Sequence, residues 1–109
     1  MQLTVENRIV IQNKLFLAQD TMENIIVQRD IRNKIRLSED EKVALNYQEI
    51  PVGGGRSELM WDMAKDIPKD VDLTSEEVVL LKSRVKALQE KAQIDEAGLG
   101  TYQCILGMK

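Results

Sequence analysis

The sequence predicts an α+β fold, mostly helical and with a small central β-hairpin, and three observations lead there. Helix-start signals recur at Thr4, Asp20, Ser38 and Thr74, the last three followed by Glu23, Glu41 and Glu77 in capping-box spacing. Aromatic residues make up 4% of the chain and charged residues 30%, a balance that favours helices over a β-sandwich. Between the third and fourth helix starts, two alternating apolar–polar runs flank a glycine-rich link, which is the pattern of a hairpin. At 109 residues the chain is expected to form a single domain over residues 1–109 with one modest core.

The elements follow in order. Thr4 is the expected N-cap of a helix over about residues 5–18, with Val5, Ile9 and Phe16 near one face and Val10 and Leu17 beside it. Asp20 opens a second helix over about 21–36, whose apolar positions include Ile25, Val27, Ile31 and Ile35. Ser38 with Glu41 opens a short third helix over about 39–45. Residues 46–63 read as the hairpin: Leu45–Ile50 and Leu59–Met63 alternate, and Pro51–Ser57 link them. A helix from Ser57 to Lys65 is the competing reading, because Met60, Met63 and Ala64 would also share a helical face. Pro68 then marks a connector. The best-specified element is a helix over about 75–94, where Val78, Leu81, Val85, Leu88 and Ala92 repeat at 3,4,3,4 spacing behind the Thr74/Glu77 cap. Gly98 and Gly100 break it, and residues 101–106 fit either a last helical turn or a strand.

The chemistry of the chain is limited. It contains no histidine and a single cysteine, Cys104, which sits among Tyr102, Ile105 and Leu106 and reads as a small buried hydrophobe. A serine or cysteine nucleophile would need lysine as its base, and no spacing argues for that pairing. No carboxylate pair with acid–base character and no metal-ligand spacing stands out, so no enzyme, cofactor or metal is expected. The net charge of −3 argues against nucleic-acid binding, although the first 36 residues are net basic and the remainder net acidic. No apolar run approaches the roughly 20 residues that span a bilayer. The opening Met-Gln-Leu-Thr-Val-Glu has no signal-peptide character, so a cytoplasmic location is expected.

Three groups of residues are candidate binding surfaces. Arg29, Arg32 and Arg36 fall on one face of the second helix, opposite Val27, Ile31 and Ile35. Guanidinium groups suit phosphate or carboxylate, but the stripe also fits a solvated face paired with Glu39 or Asp40. Gly53-Gly54-Gly55-Arg56 lacks the lysine and the spacing of a P-loop and reads as a flexible turn. Met60, Trp61 and Met63 fit either the inner face of the hairpin or an interface anchor. Leu81, Val85 and Leu88 on the last long helix fit a domain core or a seam with another chain.

The order of these motifs resembles a group of small proteins of tailed bacteriophages and prophages, of about this length. The resemblance rests on Leu3-Thr4-Val5-Glu6-Asn7-Arg8 at the start, the basic step Arg32-Asn33-Lys34-Ile35-Arg36 leading into Leu37-Ser38-Glu39-Asp40-Glu41, a polar hairpin ending at Trp61, and Leu73-Thr74-Ser75-Glu76-Glu77 opening a helix that runs on toward Tyr102. The Gly53–Gly55 loop and the Gly98–Gly100 tail depart from that pattern. The resemblance implies a phage origin and action in the host cytoplasm, and it carries over no catalytic residue. The expected function is therefore a non-enzymatic accessory protein that binds another protein, of the host or the phage, with self-association expected. The alternatives are a small anionic-ligand or nucleotide binder using Arg29, Arg32, Arg36 and Arg56, and a small virion assembly or connector component.

Overall fold

The computed structural model describes residues 1–108 and places helices after Thr4, Thr21, Ser38 and Thr74 and a hairpin between the third and fourth of them. The element order is β1 (Gln2–Leu3), α1 (Val5–Val10), a π-helical turn (Ile11–Leu15), α2 (Met22–Ile35), α3 (Glu39–Ala44), β2 (Gln48–Gly53), β3 (Arg56–Met60), a 3-10 turn (Met63–Lys65), β4 (Lys69–Asp70), α4 (Ser75–Glu90) and α5 (Leu99–Leu106). The fold is α+β and mostly helical. β2 and β3 form the antiparallel hairpin, and β1 pairs antiparallel with β4 in a second, minimal sheet.

α4 organises the core. Val78, Leu80, Leu81 and Val85 are buried on it, facing Ile31 and Ile35 of α2, Ile11 and Leu15 of the first helix, and Tyr102 and Ile105 of α5. Leu81 and Val85 are thus consumed inside the chain, and Leu88 packs half-buried at the edge of the same cluster. Of the two readings of this stripe, core or seam, Leu81 and Val85 take the core, because α2 and α5 cover them; only Leu88 keeps part of its surface exposed.

Three polar connections hold this arrangement, and all use buried charge or amide groups. Arg8, 1% exposed, donates from Nε to the Ile35 carbonyl at 2.7 Å and from Nη2 to the Arg36 carbonyl at 2.9 Å. It thereby satisfies carbonyls that the end of α2 leaves without intrahelical partners. Arg84 of α4 donates to the Leu15 carbonyl at 2.8 Å, to Gln28 Oε1 at 3.1 Å and to Asp20 Oδ2 at 2.8 Å. Gln28 in turn clamps the backbone N–H and carbonyl of Leu17. Lys34 reaches from α2 to Glu77 at 2.5 Å and to the Asp72 carbonyl at 2.8 Å, tying α2 to the capping box that starts α4.

These connections explain where the expected boundaries shift. The first helix ends at Leu15 instead of residue 18, with its last turn in π form, because Arg84 and Gln28 take the carbonyls and N–H groups of residues 15–17 that another helical turn would have used. The cap of α2 is Thr21, whose hydroxyl accepts from Asn24 N–H; the Asp20/Glu23 box does not form, because the Asp20 carboxylate faces Thr21 N–H and Arg84. α4 ends at Glu90, short of residue 94, in a Schellman closure: Gln93 N–H donates to the Leu88 carbonyl and Ala92 N–H to that of Gln89, with Ala92 at φ 53°. α3 closes the same way, with Tyr47 N–H on the Lys42 carbonyl, Asn46 N–H on that of Val43, and Asn46 at φ 51°. Residues 101–106, open between two readings in the sequence, are helical within α5.

Candidate functional site

The hairpin is the part of the molecule that the core does not use. Ser57–Met60 are strand, so the competing helix from Ser57 does not form; its only helical remnant is the 3-10 turn at Met63–Lys65. The turn between the strands needs positive φ at three successive residues, 91° at Gly53, 61° at Gly54 and 74° at Gly55, which explains three glycines in a row. β2 and β3 pair closely with each other and make no more than isolated contacts with any other element. Nearly every residue of the two strands is exposed.

The register sorts the hairpin side chains by face. Gln48 lies opposite Met60 and Ile50 opposite Glu58, so Ile50 and Met60 share one face; Glu49 opposite Leu59 and Pro51 opposite Ser57 form the other. Ile50 and Val52 are exposed, as is Met60 at 52%; just beyond the strand Met63 is 68% exposed and Ile67 82%. Trp61 between them is half-buried, and its indole N–H is buried without a hydrogen-bond partner among the described residues. Met60 and Met63 therefore stay on the surface, with the half-buried Trp61 between them.

The second face of the hairpin meets the helical body at a cleft of about 700 Å³. Tyr47 and Leu59 line it from the hairpin side, Ile9 and Leu37 add apolar surface, Arg36, Lys42 and Lys69 bring positive charge, and Gln12, Asn13 and Asn33 are its neutral polar groups. Two carboxylates also line it. Glu41 is held by Arg8, with Nη1 at 2.7 Å from Oε2 and Nη2 at 3.1 Å from Oε1. The Arg8 hydrogen bonds, with help from Ser38 N–H and the charges of Arg8 and Lys69, hold the Glu41 carboxyl at a pKa of about 2 against the opposing effect of burial. Glu39 lies 3.6 Å from Lys42, whose ammonium stands 5.7 Å from the centre of the Tyr47 ring. Burial, and behind it the charge of Glu49, raises the Tyr47 phenol above its ordinary value. Arg36 and Lys69 form no ion pair among the described residues.

The arginine stripe is split by this geometry. Arg29, Arg32 and Arg36 are all exposed, and the expected pairing with Glu39 or Asp40 does not form among the described residues. Arg32 stacks on the Phe16 ring at 5.0 Å, Arg36 lines the cleft, and Arg29 does neither. Arg56 and the glycines lie at the far end of the hairpin, outside the cleft lining, so the stripe and the loop do not make a joint site. Nothing in the sequence pattern points to Lys42, Tyr47 and Lys69 as neighbours of Arg36, because a cleft between a hairpin and a helix end is made by contacts distant in sequence.

Among the described residues no helix is long and apolar enough to cross a membrane, and no cluster of His, Cys, Asp and Glu could hold a metal ion. Compared with known proteins, the chain matches no family model, no curated protein and no solved structure.

Proposed function

We propose that this chain is a non-enzymatic binding protein that engages another protein through its projecting hairpin, as an accessory protein of the phage type its motifs resemble, acting in the host cytoplasm. One observation carries the reading: Ile50, Val52 and Met60 are exposed on a ribbon that makes no more than isolated contacts with any other element. A two-stranded ribbon is marginal on its own in water, and apolar side chains on it find no partner within the chain. Its outer edges also present unpaired backbone N–H and carbonyl groups. Alternating apolar side chains beside a free strand edge are the chemistry of β-strand addition, in which main-chain bonds supply affinity and side chains supply selectivity.

The test places a photo-crosslinking residue at position 50 or 60, and separately at position 79 on the exposed side of α4, in cells where the chain acts. The expected result is one discrete cross-linked protein from the hairpin positions, none from position 79, and its loss on Met60→Glu or Val52→Glu with the melting temperature unchanged. Equal cross-linking from position 79, or cross-links that survive both substitutions, would overturn the assignment.

A further inference from the structure

We propose that the cleft between the hairpin base and the end of α2 binds a mononucleotide, its phosphates on Arg36 and Lys69 and its base against Tyr47. The inference is independent of the hairpin's outward face, which lies on the other side of the ribbon. The cleft volume of about 700 Å³ is that of a small-ligand site and suits one nucleotide. Its charge is the first argument. The chain as a whole is net negative, yet this cleft gathers Arg36, Lys42 and Lys69. Arg8 neutralises Glu41 through two hydrogen bonds, and Glu39 stands against Lys42. That leaves the charges of Arg36 and Lys69 facing the same space, without an ion-pair partner among the described residues. A guanidinium fork and an ammonium group are a suitable pair for a diphosphate.

The walls supply the second argument. A site for a bare inorganic anion has no use for an apolar side, but here Tyr47, Leu59, Ile9 and Leu37 make one. A phenol ring that stays neutral at physiological pH offers a flat face to a base without repelling the phosphates, and aromatic–base stacking tolerates any base. Asn13, Asn33 and Gln12 add amide groups that can both donate and accept at a base edge or ribose. Polar, cationic and planar apolar groups around one cleft match the three parts of a nucleotide.

The experiment is a calorimetric and amide-NMR titration of the intact chain with ADP, AMP, adenosine and pyrophosphate. Saturable binding of ADP is expected, weaker for AMP and weakest for adenosine, with shifts concentrated at Arg36, Lys42, Tyr47 and Lys69. Arg36→Ala with Lys69→Ala should weaken ADP at least about tenfold. Both side chains are exposed, and Arg8 holds the Arg36 backbone carbonyl and not its side chain, so the melting temperature should hold. Tyr47→Leu should weaken ADP while leaving pyrophosphate unchanged, and Arg29→Ala should change nothing. Absence of saturable ADP binding, or ADP binding indifferent to the Arg36 and Lys69 substitutions, would overturn the proposal. Pyrophosphate binding as tightly as ADP, with Tyr47→Leu neutral for both, would overturn the nucleotide assignment.

Discussion

Arg8 and Glu41 meet in a two-pronged ion pair, 2.7 Å and 3.1 Å between their paired nitrogens and oxygens, that joins the first helix to the start of α3. Each partner has a second duty. Arg8 also bonds the Ile35 and Arg36 carbonyls, while Glu41 accepts from Ser38 N–H in the α3 capping box. One buried guanidinium thus fixes the end of α2, the α2–α3 step and the beginning of α3. That step carries Arg36 into the cleft.

Removing Arg8 should therefore be severe. Arg8→Ala leaves two carbonyls and a carboxylate without their donor; because the Glu41 carboxylate is partly open to water, the cost should fall below the roughly 3–5 kcal/mol of a fully buried pair, at about 2–3 kcal/mol. Glu41→Gln should be milder, because glutamine at this position still completes a capping box. Urea unfolding of the two variants checks the order, and a larger loss for Glu41→Gln would contradict it.

The same pair sets an acid limit. Glu41 titrates at about 2 in the folded chain against 4.5 ordinarily, so its contribution is fully present above about pH 4.5 and is lost as pH falls toward 2. Asp20 is shifted in the same direction, first by the Thr21 N–H, then by Asn24 and Arg84, and adds to the trend. Stability should fall steadily across pH 5 to 2, and Glu41→Gln should flatten part of that fall. A wild-type stability profile level over the window would show that the pair contributes nothing there.

Helix ends were legible in the sequence where the signal is local. The Ser38/Glu41 and Thr74/Glu77 boxes form as read, because a hydroxyl and a carboxylate three residues apart need only each other and the backbone between them. The Asp20/Glu23 box failed because Arg84, far along the chain, claims the Asp20 carboxylate. The exposure of Met60 and Met63 and the burial of Leu81 and Val85 had to wait for the structure, since periodicity shows that a stripe is amphipathic and not what covers it. The same holds for the cleft: Arg36 was in view, but Tyr47 and Lys69 reach it only through the hairpin base and β4.

The two left-handed helix ends differ in their residue. Asparagine tolerates the conformation at position 46, whereas Ala92 adopts φ 53° at the end of α4 with a side chain that disfavours it. Ala92→Gly should stabilise the chain by about 1 kcal/mol, and Asn46→Gly by less. Thermal unfolding compares them directly, and a loss on Ala92→Gly would show that the methyl group makes a compensating contact.

Gly98 and Gly100 look alike in sequence but stand in opposite surroundings. A Cβ on Gly98 would sit 2.6 Å from Tyr102 Cζ and 2.7 Å from Asp95 Oδ1, and Tyr102 is buried and hydrogen-bonded to that same carboxylate. Gly98→Ala should cost about 1–3 kcal/mol, as forced overpacking does. At Gly100, inside α5, the added methyl meets nothing within 4 Å, so Gly100→Ala should gain about 0.5 kcal/mol from helix propensity. Equal effects at the two sites would contradict this placement of α5.

The hairpin should be removable without loss of the core. Gln48 and Met60 are register partners, so their backbones are already adjacent and a short glycine link can replace the residues between them. None of the buried core side chains lies in β2 or β3, and the Asp62 N–H bond to the Leu45 carbonyl stays outside the excised segment. The shortened chain should unfold cooperatively with nearly the wild-type midpoint, while losing the cross-linked partner and, with Leu59 gone from the cleft wall, part of its ADP affinity. Collapse of cooperative unfolding would instead make the ribbon a structural element, and its exposed Ile50, Val52 and Met60 could then no longer be assigned to recognition alone.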